Sequence, residues 1–327
     1  MFPRLKKSTL GNCVLFATAS FSTLTVAQPS TDWPTKTIKV VVPYPPGAAT
    51  DTITRIVMEK LASRLKQNIV VENKPGANSS VGTNFVARAE PDGYTFLSVL
   101  AAYSINPHLY KLPYSVDALT PVAKMADLPN FLYVSNTVPV NTIEELLEFG
   151  LKNPGKLNYA SSGTGSSAHM MGASLALRSG IQMEHVPYKG SASILTDLLS
   201  GEVSMVFSSM VVFMPHVKEG KLKALALSFN QRWPTEPNIP TVAESGFPGF
   251  SIVSWSGLLA PHGTPTPITQ RMAKEISIVL EDPDVQAKFA KGGLIADFQN
   301  AEKFEDLIRR DSQMYGEIIQ QANIRLN

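Results

Sequence analysis

The sequence predicts an α/β fold of two lobes, and three observations carry this prediction. Short β-branched runs alternate with amphipathic helical stretches along the whole chain, which is typical of α/β proteins. The chain has 327 residues, 44% of them hydrophobic, so it can bury a large core, and its length favours two lobes over one. Pro and Gly are spread evenly without one linker-like stretch, so we expect a discontinuous division between the lobes.

The first predicted unit is a strand, a turn and a helix within residues 38–65. The β-branched run 38–42 is typical of a strand covered on both faces. The Pro/Gly turn 43–47 ends this strand, because Pro lacks a ladder N–H and Gly tolerates unusual backbone angles. A helical stripe of apolar residues follows, with Thr50 or Asp51 as its cap. The N–H groups and positive dipole end of this helix point at the turn, which predicts an anion site there.

Later elements follow the same alternation. Strand patterns occupy residues 68–72, 95–99, 156–160, 183–186, 203–207 and 222–228. Helical patterns occupy residues 81–89, 143–152, 167–178, 192–200 and 267–280. A last helix has one apolar face, formed by Phe304, Leu307, Ile308, Tyr315, Ile318 and Ile319.

The chain is expected to cross between the lobes twice. The crossings are predicted near residues 131–135 and 251–259, after which the C-terminus returns to the first lobe. The first lobe is therefore predicted as residues 28–130 with 252–327, and the second as residues 131–251.

The first 27 residues have the layout of a secretory signal peptide. Arg4, Lys6 and Lys7 precede an uncharged apolar segment, and small residues stand near Ala27, where we expect cleavage. A membrane anchor is the alternative, but the apolar part is short and rich in Ser and Thr. The sequence thus predicts export to the periplasm.

Cleavage at this position changes the composition of the mature chain. It removes Cys13, the only cysteine, which excludes a disulfide, thiol catalysis and a cysteine-bound metal. Three of the 29 basic residues lie in the signal segment, so 26 basic residues face 27 acidic ones, a net charge of −1. No basic patch suggests a nucleic-acid partner.

The second informative turn, residues 161–167, follows a strand pattern and opens a helix. Gly163-x-Gly165-x-x-Ala168 matches a dinucleotide-binding fingerprint, with Glu184 about twenty residues on, where a ribose-binding acid belongs. The predicted export counts against a dinucleotide ligand, because an exported enzyme would have to find its dinucleotide outside the cytoplasm or carry it there. Close backbone N–H groups, small hydroxyls and a helix N-terminus serve a carboxylate equally well. Carboxylate binding is the favoured interpretation, with a dinucleotide site and a structural turn as alternatives.

Catalytic and metal-binding motifs are scarce. The five histidines are dispersed without metal-ligand spacing, and no nucleophile elbow, zinc-binding helix or phosphate loop occurs. His169 follows the Gly163 loop, where packing against the loop is favoured over a role as catalytic base. Trp255 is expected to pack at the hinge rather than stack on a ligand. Tyr188-Lys189-Gly190 either contacts ligand or makes a turn.

A series of ordered motifs resembles one family closely. In order they are Pro43-Tyr44-Pro45-Pro46-Gly47 with Asp51, Val71-Glu72-Asn73-Lys74-Pro75-Gly76-Ala77, Pro91-Asp92-Gly93-Tyr94-Thr95, Asn106-Pro107, Leu157-Asn158-Tyr159-Ala160-Ser161, His185-Val186-Pro187-Tyr188-Lys189-Gly190, Gly220-Lys221-Leu222 and Pro240-Thr241-Val242-Ala243-Glu244. Together they resemble the Bug family, the extracytoplasmic solute receptors of tripartite tricarboxylate transporters, from Trp33 to Ile324.

The resemblance implies a type II periplasmic-binding-protein fold, in which two α/β lobes joined by a hinge close on a small organic acid. It implies a monomeric receptor with no catalytic residues, metal or cofactor, and an inner-membrane transporter or a sensor as its partner. In the family, the first turn and the Ser/Gly loop hold a carboxylate through backbone amides, hydroxyls and ordered water. The expected ligand-binding residues are Tyr44, Pro46, Gly47, Ala48, Ala49, Asp51, Ala101, Tyr103, Ser162, Gly163, Thr164, Gly165, Ser166, Ser167, His169, Tyr188 and Ser208.

Three departures from the family pattern concern the ligand. Ala48 stands where the first turn usually has a second Gly. Family members often have hydroxyl or amide residues at the end of the third strand, where this chain has Leu100-Ala101-Ala102-Tyr103. Ser208-Ser209 stands where many members have Asp-Asn, and a serine is a poorer partner for an ammonium group. The predicted function is a periplasmic receptor for a small carboxylate. The alternative is a secreted α/β enzyme, either a hydrolase or a dinucleotide-dependent oxidoreductase.

Overall fold

The computed structural model describes residues 1, 3 and 32–326, so the predicted signal peptide lies, apart from its residues 1 and 3, outside the described residues. The described strands are β1 Ile38–Val42, β2 Ile69–Asn73, β3 Thr95–Leu100, β4 Leu119–Leu128, β5 Phe131–Ser135, β6 Leu157–Ser161, β7 Met183–Pro187, β8 Met205–Ser208, β9 Leu222–Leu227, β10 Ser254–Pro261 and β11 Ile295–Asn300. The described α-helices are α1 Ala49–Leu65, α2 Ser80–Ala87, α3 Ala102–Leu109, α4 Ile143–Lys152, α5 Ser167–Ser179, α6 Ser191–Ser200, α7 Met210–Lys218, α8 Thr266–Leu280, α9 Pro283–Lys291 and α10 Ala301–Gln321.

The strands form two mixed sheets. The first has the order β11-β4-β10-β3-β1-β2 and the second the order β7-β6-β8-β5-β9. In the first sheet β1 runs parallel to β2 and β3, with Val40 opposite Val71 and Phe96. In the second, β6 runs parallel to β7 and β8. The turns after β1 and β6 therefore lie at the carboxyl edge of a parallel set, the usual place for ligands in α/β sheets.

The chain passes between the two sheets just before β5 and just before β10. Only residues 129 and 130 separate β4, in the first sheet, from β5 in the second. Residues 228–253 lead from β9 back to β10 in the first sheet. The segment 131–135, which was expected to cross, is thus a strand of the second sheet. The second expected crossing, 251–259, overlaps β10 and includes the end of the returning segment.

The predicted strands and helices all correspond closely to elements of the structure, but the sequence patterns missed the strands β4, β5, β10 and β11 and the helices α3, α7 and α9. Pro107 lies inside α3 and Pro215 inside α7. Pro121 lies within β4, beside an irregularity of its pairing with β10. Proline is disfavoured inside helices and strands, so it obscured these three elements.

Helix α10 contributes to two hydrophobic clusters, one beside each sheet. Phe304, near its start, belongs to a cluster with Trp255 of the first sheet. Tyr315 and Ile318, farther along, belong to the cluster that contains Leu132 of the second sheet. The sequence placed the whole C-terminus with the first lobe, but it did not predict that one long amphipathic helix would cover parts of two cores.

Trp255 packs as predicted. Its ring is almost completely buried and meets Phe304 edge-on, with ring centroids 5.1 Å apart. The indole N–H donates to Oδ2 of Asp311 at 2.6 Å.

No helix in the described part of the chain is both long and apolar enough to cross a membrane.

Candidate functional site

One carboxylate holds the shape of the first turn, between β1 and α1. Gly47 has φ +81, a left-handed conformation that favours Gly, and its N–H donates to Oδ2 of Asp51 at 2.9 Å. The amide of Asn73 donates to Oδ1 of Asp51 at 2.8 Å, and Nε of Arg55 lies 3.0 Å from both carboxylate oxygens. The same Asn73 amide donates to the carbonyl of Tyr44. Asp51 thus connects the turn, the helix and the end of β2.

Asp51 is buried and ionised. Burial raises the pKa of its carboxyl, but the hydrogen bonds from Arg55, Gly47 and Asn73 and the positive charge of Arg55 outweigh burial, so this pKa lies below its usual value. The negative charge is therefore compensated within the turn and is not free for a ligand ammonium group.

Helix α1 presents free donors to the first turn. It begins at Ala49, and Ala48 is an N-cap without a side-chain hydrogen bond, so the prediction that Thr50 or Asp51 caps the helix was wrong. The first backbone bond of the helix joins the N–H of Thr52 to the carbonyl of Ala48. As at any helix start, the preceding N–H groups have no intrahelical acceptor and are available to an anion.

The second loop, residues 161–167, is organised around the hydroxyl of Ser161. This hydroxyl donates to the carbonyl of Gly163 at 3.0 Å and accepts from the N–H of Gly163 at 3.1 Å. Nε2 of His185 lies 2.6 Å from the same oxygen, within hydrogen-bond distance. The N–H of Gly165 donates to Nδ1 of His169 at 3.2 Å. Two imidazoles therefore hold the loop from beneath.

The two imidazoles form a stacked pair. The ring centroids of His169 and His185 lie 3.6 Å apart with the planes 7° from parallel, and Tyr159 packs against both. Burial, and then the neighbouring His185, lower the pKa of His169 to about 3. Burial lowers the pKa of His185 to about 4. Both rings are therefore neutral near pH 7, and the prediction that His169 packs against the loop is confirmed.

Several residues of the second loop are accessible to solvent. Ser162 is exposed, and Gly163, Thr164 and Ser167 are half-buried. Ser166 is the N-cap of α5, and its side chain accepts from the N–H of His169. The loop therefore combines a capped helix start with hydroxyls and backbone groups that a small anion can reach.

Two predicted ligand residues have hydroxyls that already bind protein groups. The hydroxyl of Tyr188 donates to Oδ2 of Asp197 at 2.7 Å, which leaves that oxygen as an acceptor only for a second partner. The hydroxyl of Tyr103 donates to the carbonyl of Val116 at 3.1 Å, and its ring is buried in a hydrophobic cluster. Tyr103 therefore packs inside the protein rather than opening toward either turn.

The remaining predicted residues are small. Ala101 is fully buried between β3 and α3. Ser208 ends β8, opposite Phe131 at the start of β5, and is half-buried. Pro46 and Ala49 are exposed on the first turn. None of these side chains brings a charge to the site.

Sequence reasoning missed the residues that support the two turns. Arg55 and Asn73 hold Asp51, and Asn78, Asn106 and Tyr110 join the first sheet to the second loop (see below). Asn73 and Asn106 did stand within the quoted motifs, so the motifs were the available signal. Among the described residues, no three His, Cys, Asp or Glu side chains are grouped to hold a metal ion.

The chain matches the family described as "Tripartite tricarboxylate transporter family receptor" over residues 53–324. The chain belongs to this family. It is 33% identical over 314 residues to a protein encoded in the tcbD-tcbE intergenic region of Pseudomonas sp. strain P51, covering 95% of this chain and 94% of the relative. It is 30% identical to BugT of Bordetella pertussis over 298 residues, covering 90% and 91% of the two chains.

Three solved structures similar to this chain have the same fold. The periplasmic binding protein BugD is 33% identical, with a TM-score of 0.75 over 90% of this chain and 99% of its own. The R. palustris protein Rpa4515, solved with adipate, is 28% identical, with a TM-score of 0.79 over 90% and 99%. MatC from Rhodopseudomonas palustris, solved with bound malate, is 30% identical, with a TM-score of 0.72 over 88% and 100%. The receptor thus has the periplasmic-binding-protein fold that its sequence motifs implied.

Proposed function

We propose that this receptor binds a small organic acid between the first turn and the second loop and delivers it to a tripartite tricarboxylate-type transporter or to a sensor. The observation that carries the proposal is the pair of strand-to-helix turns, one after a parallel strand of each sheet, each of which leads into a helix whose first N–H groups suit an anion. Relatives of the same fold were solved with adipate and with malate, which supports a carboxylate as the ligand class.

Neutral donors are proposed to hold the carboxylate. The loops assigned to the cleft, residues 44–51, 100–104, 161–167 and 208–209, contain no Arg or Lys. Arg55 is next to the first turn, but Asp51 engages it. Helix N-termini are typically worth ~0.3–1 kcal/mol each to an anion. Several charge-assisted backbone bonds, at roughly 1.5–3 kcal/mol each, are enough for micromolar affinity.

The proposed ligand contacts are those expected from the sequence, except that the buried residues Asp51, Ala101, Tyr103 and His169 have supporting roles. Tyr103 is buried and bonded to Val116, and Asp51 is compensated by Arg55. The proposed lobes follow the expected boundaries, residues 28–130 with 252–327 and residues 131–251. The membership of the two sheets supports this division, whereas α10 covers both cores. We also propose that the receptor is a monomer and that the predicted signal peptide exports it.

A Ser–His pair is present but does not favour the enzyme alternative. Nε2 of His185 lies 2.6 Å from Oγ of Ser161, which is a distance found in hydrolase dyads. Ser161, however, is completely buried, and its hydroxyl donates to the carbonyl of Gly163. A nucleophilic hydroxyl must reach its substrate, and a completely buried one does not. The pair therefore shapes the binding loop.

A thermal-shift screen over organic acids, run beside a turnover assay on the same compounds, tests the proposed function. We expect malate, adipate or a related acid to raise the melting temperature, because a ligand bound only to the native state stabilises it. No compound should be consumed. Turnover of a stabilising acid, or stabilisation by dinucleotides alone, would contradict the receptor. Mass spectrometry of the purified protein would identify a retained ligand.

A further inference from the structure

The turn between β2 and α2 has an unusual backbone. Four consecutive residues, Gly76, Ala77, Asn78 and Ser79, have φ values of +134, +44, +47 and +73. Gly adopts such angles freely and Asn better than most residues, but Ala and Ser adopt them at a cost. Backbone strain of this kind persists only where neighbouring contacts over-determine it, and it is frequent at ligand clamps.

A buried asparagine on α3 holds this turn. The amide of Asn106 donates to the carbonyl of Asn78 at 2.7 Å, and the amide of Asn78 donates back to Oδ1 of Asn106 at 2.6 Å. Asn106 is completely buried, and its amide nitrogen also lies 3.3 Å from Oγ of Ser79. This reciprocal pair fixes both the backbone and the side chain of Asn78.

The turn and the end of α3 both touch the second loop. The hydroxyl of Tyr110 donates to the carbonyl of Thr164 at 3.4 Å and lies within reach of the Asn78 side chain. A Cβ placed on Gly165 would lie 2.8 Å from Cδ1 of Leu109 and 3.7 Å from Nδ2 of Asn78. The second loop therefore packs closely against Leu109 and reaches ordinary contact distance of the Asn78 side chain.

The same turn also touches the first ligand turn. The hydroxyl of Tyr44 is buried without a hydrogen-bond partner among the described residues, and it lies beside the side chain of Ser79 and the backbone of Leu100. The strained segment 76–79 thus lies between the two turns proposed to hold the carboxylate.

We propose that Asn78 is a positioning residue that sets the approach of the second loop to the first turn, and thereby the length of the acid that the cleft accepts. The length preference rests on the proposed function, whereas the positioning of the loop does not. Asn78 acts through Asn106 and Tyr110 and need not contact the ligand itself.

The test compares Asn78→Gly with a matched control, Ala77→Gly. Both substitutions place Gly at a position of this turn where the present residue has a left-handed φ, so both relieve backbone strain. Only the first removes a side-chain amide that bonds Asn106 and lies near Gly165. Tyr110→Phe is a third variant, which removes only the hydroxyl that donates to Thr164. Two properties are measured: hydrogen exchange of the amides of residues 163–167 in the ligand-free protein, and the ratio of the affinities for malate and adipate.

We expect Asn78→Gly to accelerate exchange in the loop by about ten-fold and to shift the malate-to-adipate ratio by at least about five-fold, whereas Ala77→Gly changes neither. Tyr110→Phe should change both in the same direction and by less. Equal behaviour of the two Gly variants would overturn the proposal, as would faster exchange without any change in preference. If the wild-type protein bound neither acid, the proposed ligand class would fail, and the exchange measurement would still decide the positioning of the loop.

Discussion

The imidazole rings of His169 and His185 stack 3.6 Å apart beneath the second loop, and each makes a hydrogen bond to it. Burial disfavours a positive charge on either ring. Protonation of His169 at Nδ1 would place a donor against the N–H of Gly165, and two protonated rings would repel each other at this distance. The binding loop therefore depends on two neutral histidines.

We expect the stability of the protein to decrease as the pH falls from about 6.5 to about 4. The folded-state pKa values of His169 and His185, about 3 and about 4, lie below the ordinary value of 6.5. In this window the unfolded state binds more protons, so the stability that the neutral pair provides is present above pH 6.5 and is lost on acidification. The loss should be on the order of a few kcal/mol.

Thermal melts of His169→Gln and of the wild type at several pH values test this expectation. The variant should have a weaker pH dependence, whereas His262→Gln, a change at an exposed histidine, should melt with the wild-type profile. Asp311 contributes a pH dependence of the opposite sign to the stability, because burial raises the pKa of its carboxyl to about 6. Asp311 is present in every variant, so the difference between the variants reports on the histidines alone. Identical profiles for His169→Gln and the wild type would contradict the prediction.

Substitution of the two turn glycines should remove ligand binding. Gly47 and Gly163 have φ values of +81 and +118, and no atom lies within 4 Å of a Cβ placed on either. In Gly47→Val or Gly163→Val the side chain would strain the turn and occupy the approach to its N–H groups, so affinity should fall by at least about 100-fold. Isothermal titration with the acid found in the thermal-shift screen measures this loss.

Gly220→Val is the matched control for these variants. Gly220 also has a left-handed φ, +69, with no atom within 4 Å of an added Cβ, but it lies between α7 and β9. We expect a similar cost in melting temperature and unchanged affinity. If Gly220→Val weakened binding as much as Gly163→Val, general loss of stability would explain the effect instead.

Lys189→Met should weaken binding only a few-fold. Lys189 is exposed in the segment between β7 and α6, and it is the nearby cation that could bind a carboxylate in place of neutral donors. An exposed charge at a distance contributes little, because water and salt screen it. Titration of Lys189→Met, with Lys156→Met as an exposed control, measures the effect. Complete loss of binding in a folded Lys189→Met would refute the neutral-donor mechanism.

Simple amino acids should bind more weakly than acids of the same length without an ammonium group. Arg55 already compensates the carboxylate of Asp51, and Ser208 provides no negative charge. We expect malate to bind at least about ten-fold more tightly than aspartate. Ser208→Asp should narrow this difference and Ser208→Ala should preserve it. Tight binding of aspartate to the wild type would contradict the prediction.

The sequence by itself determined the class of fold and most of its elements. The β-branched run before Pro43, the helical stripe after Asp51 and the Ser/Gly loop after β6 are local patterns, and the structure contains them where the spacing predicts. Hydrophobic periodicity is decided by neighbours a few residues away, so it can be read without the fold. The motifs likewise identified the receptor family before any geometry was known.

Only the tertiary structure decided which partners these residues have. Asp51 was expected to be a ligand-binding residue, yet Arg55 and Asn73 engage its carboxylate. The pairing of His169 with His185 and of Asn78 with Asn106 joins residues that are far apart in sequence. Such contacts depend on how strands from different parts of the chain align in a sheet, and no local pattern encodes that alignment. The sequence therefore located the two turns, and the packing of the sheets determined what holds them and how closely they approach.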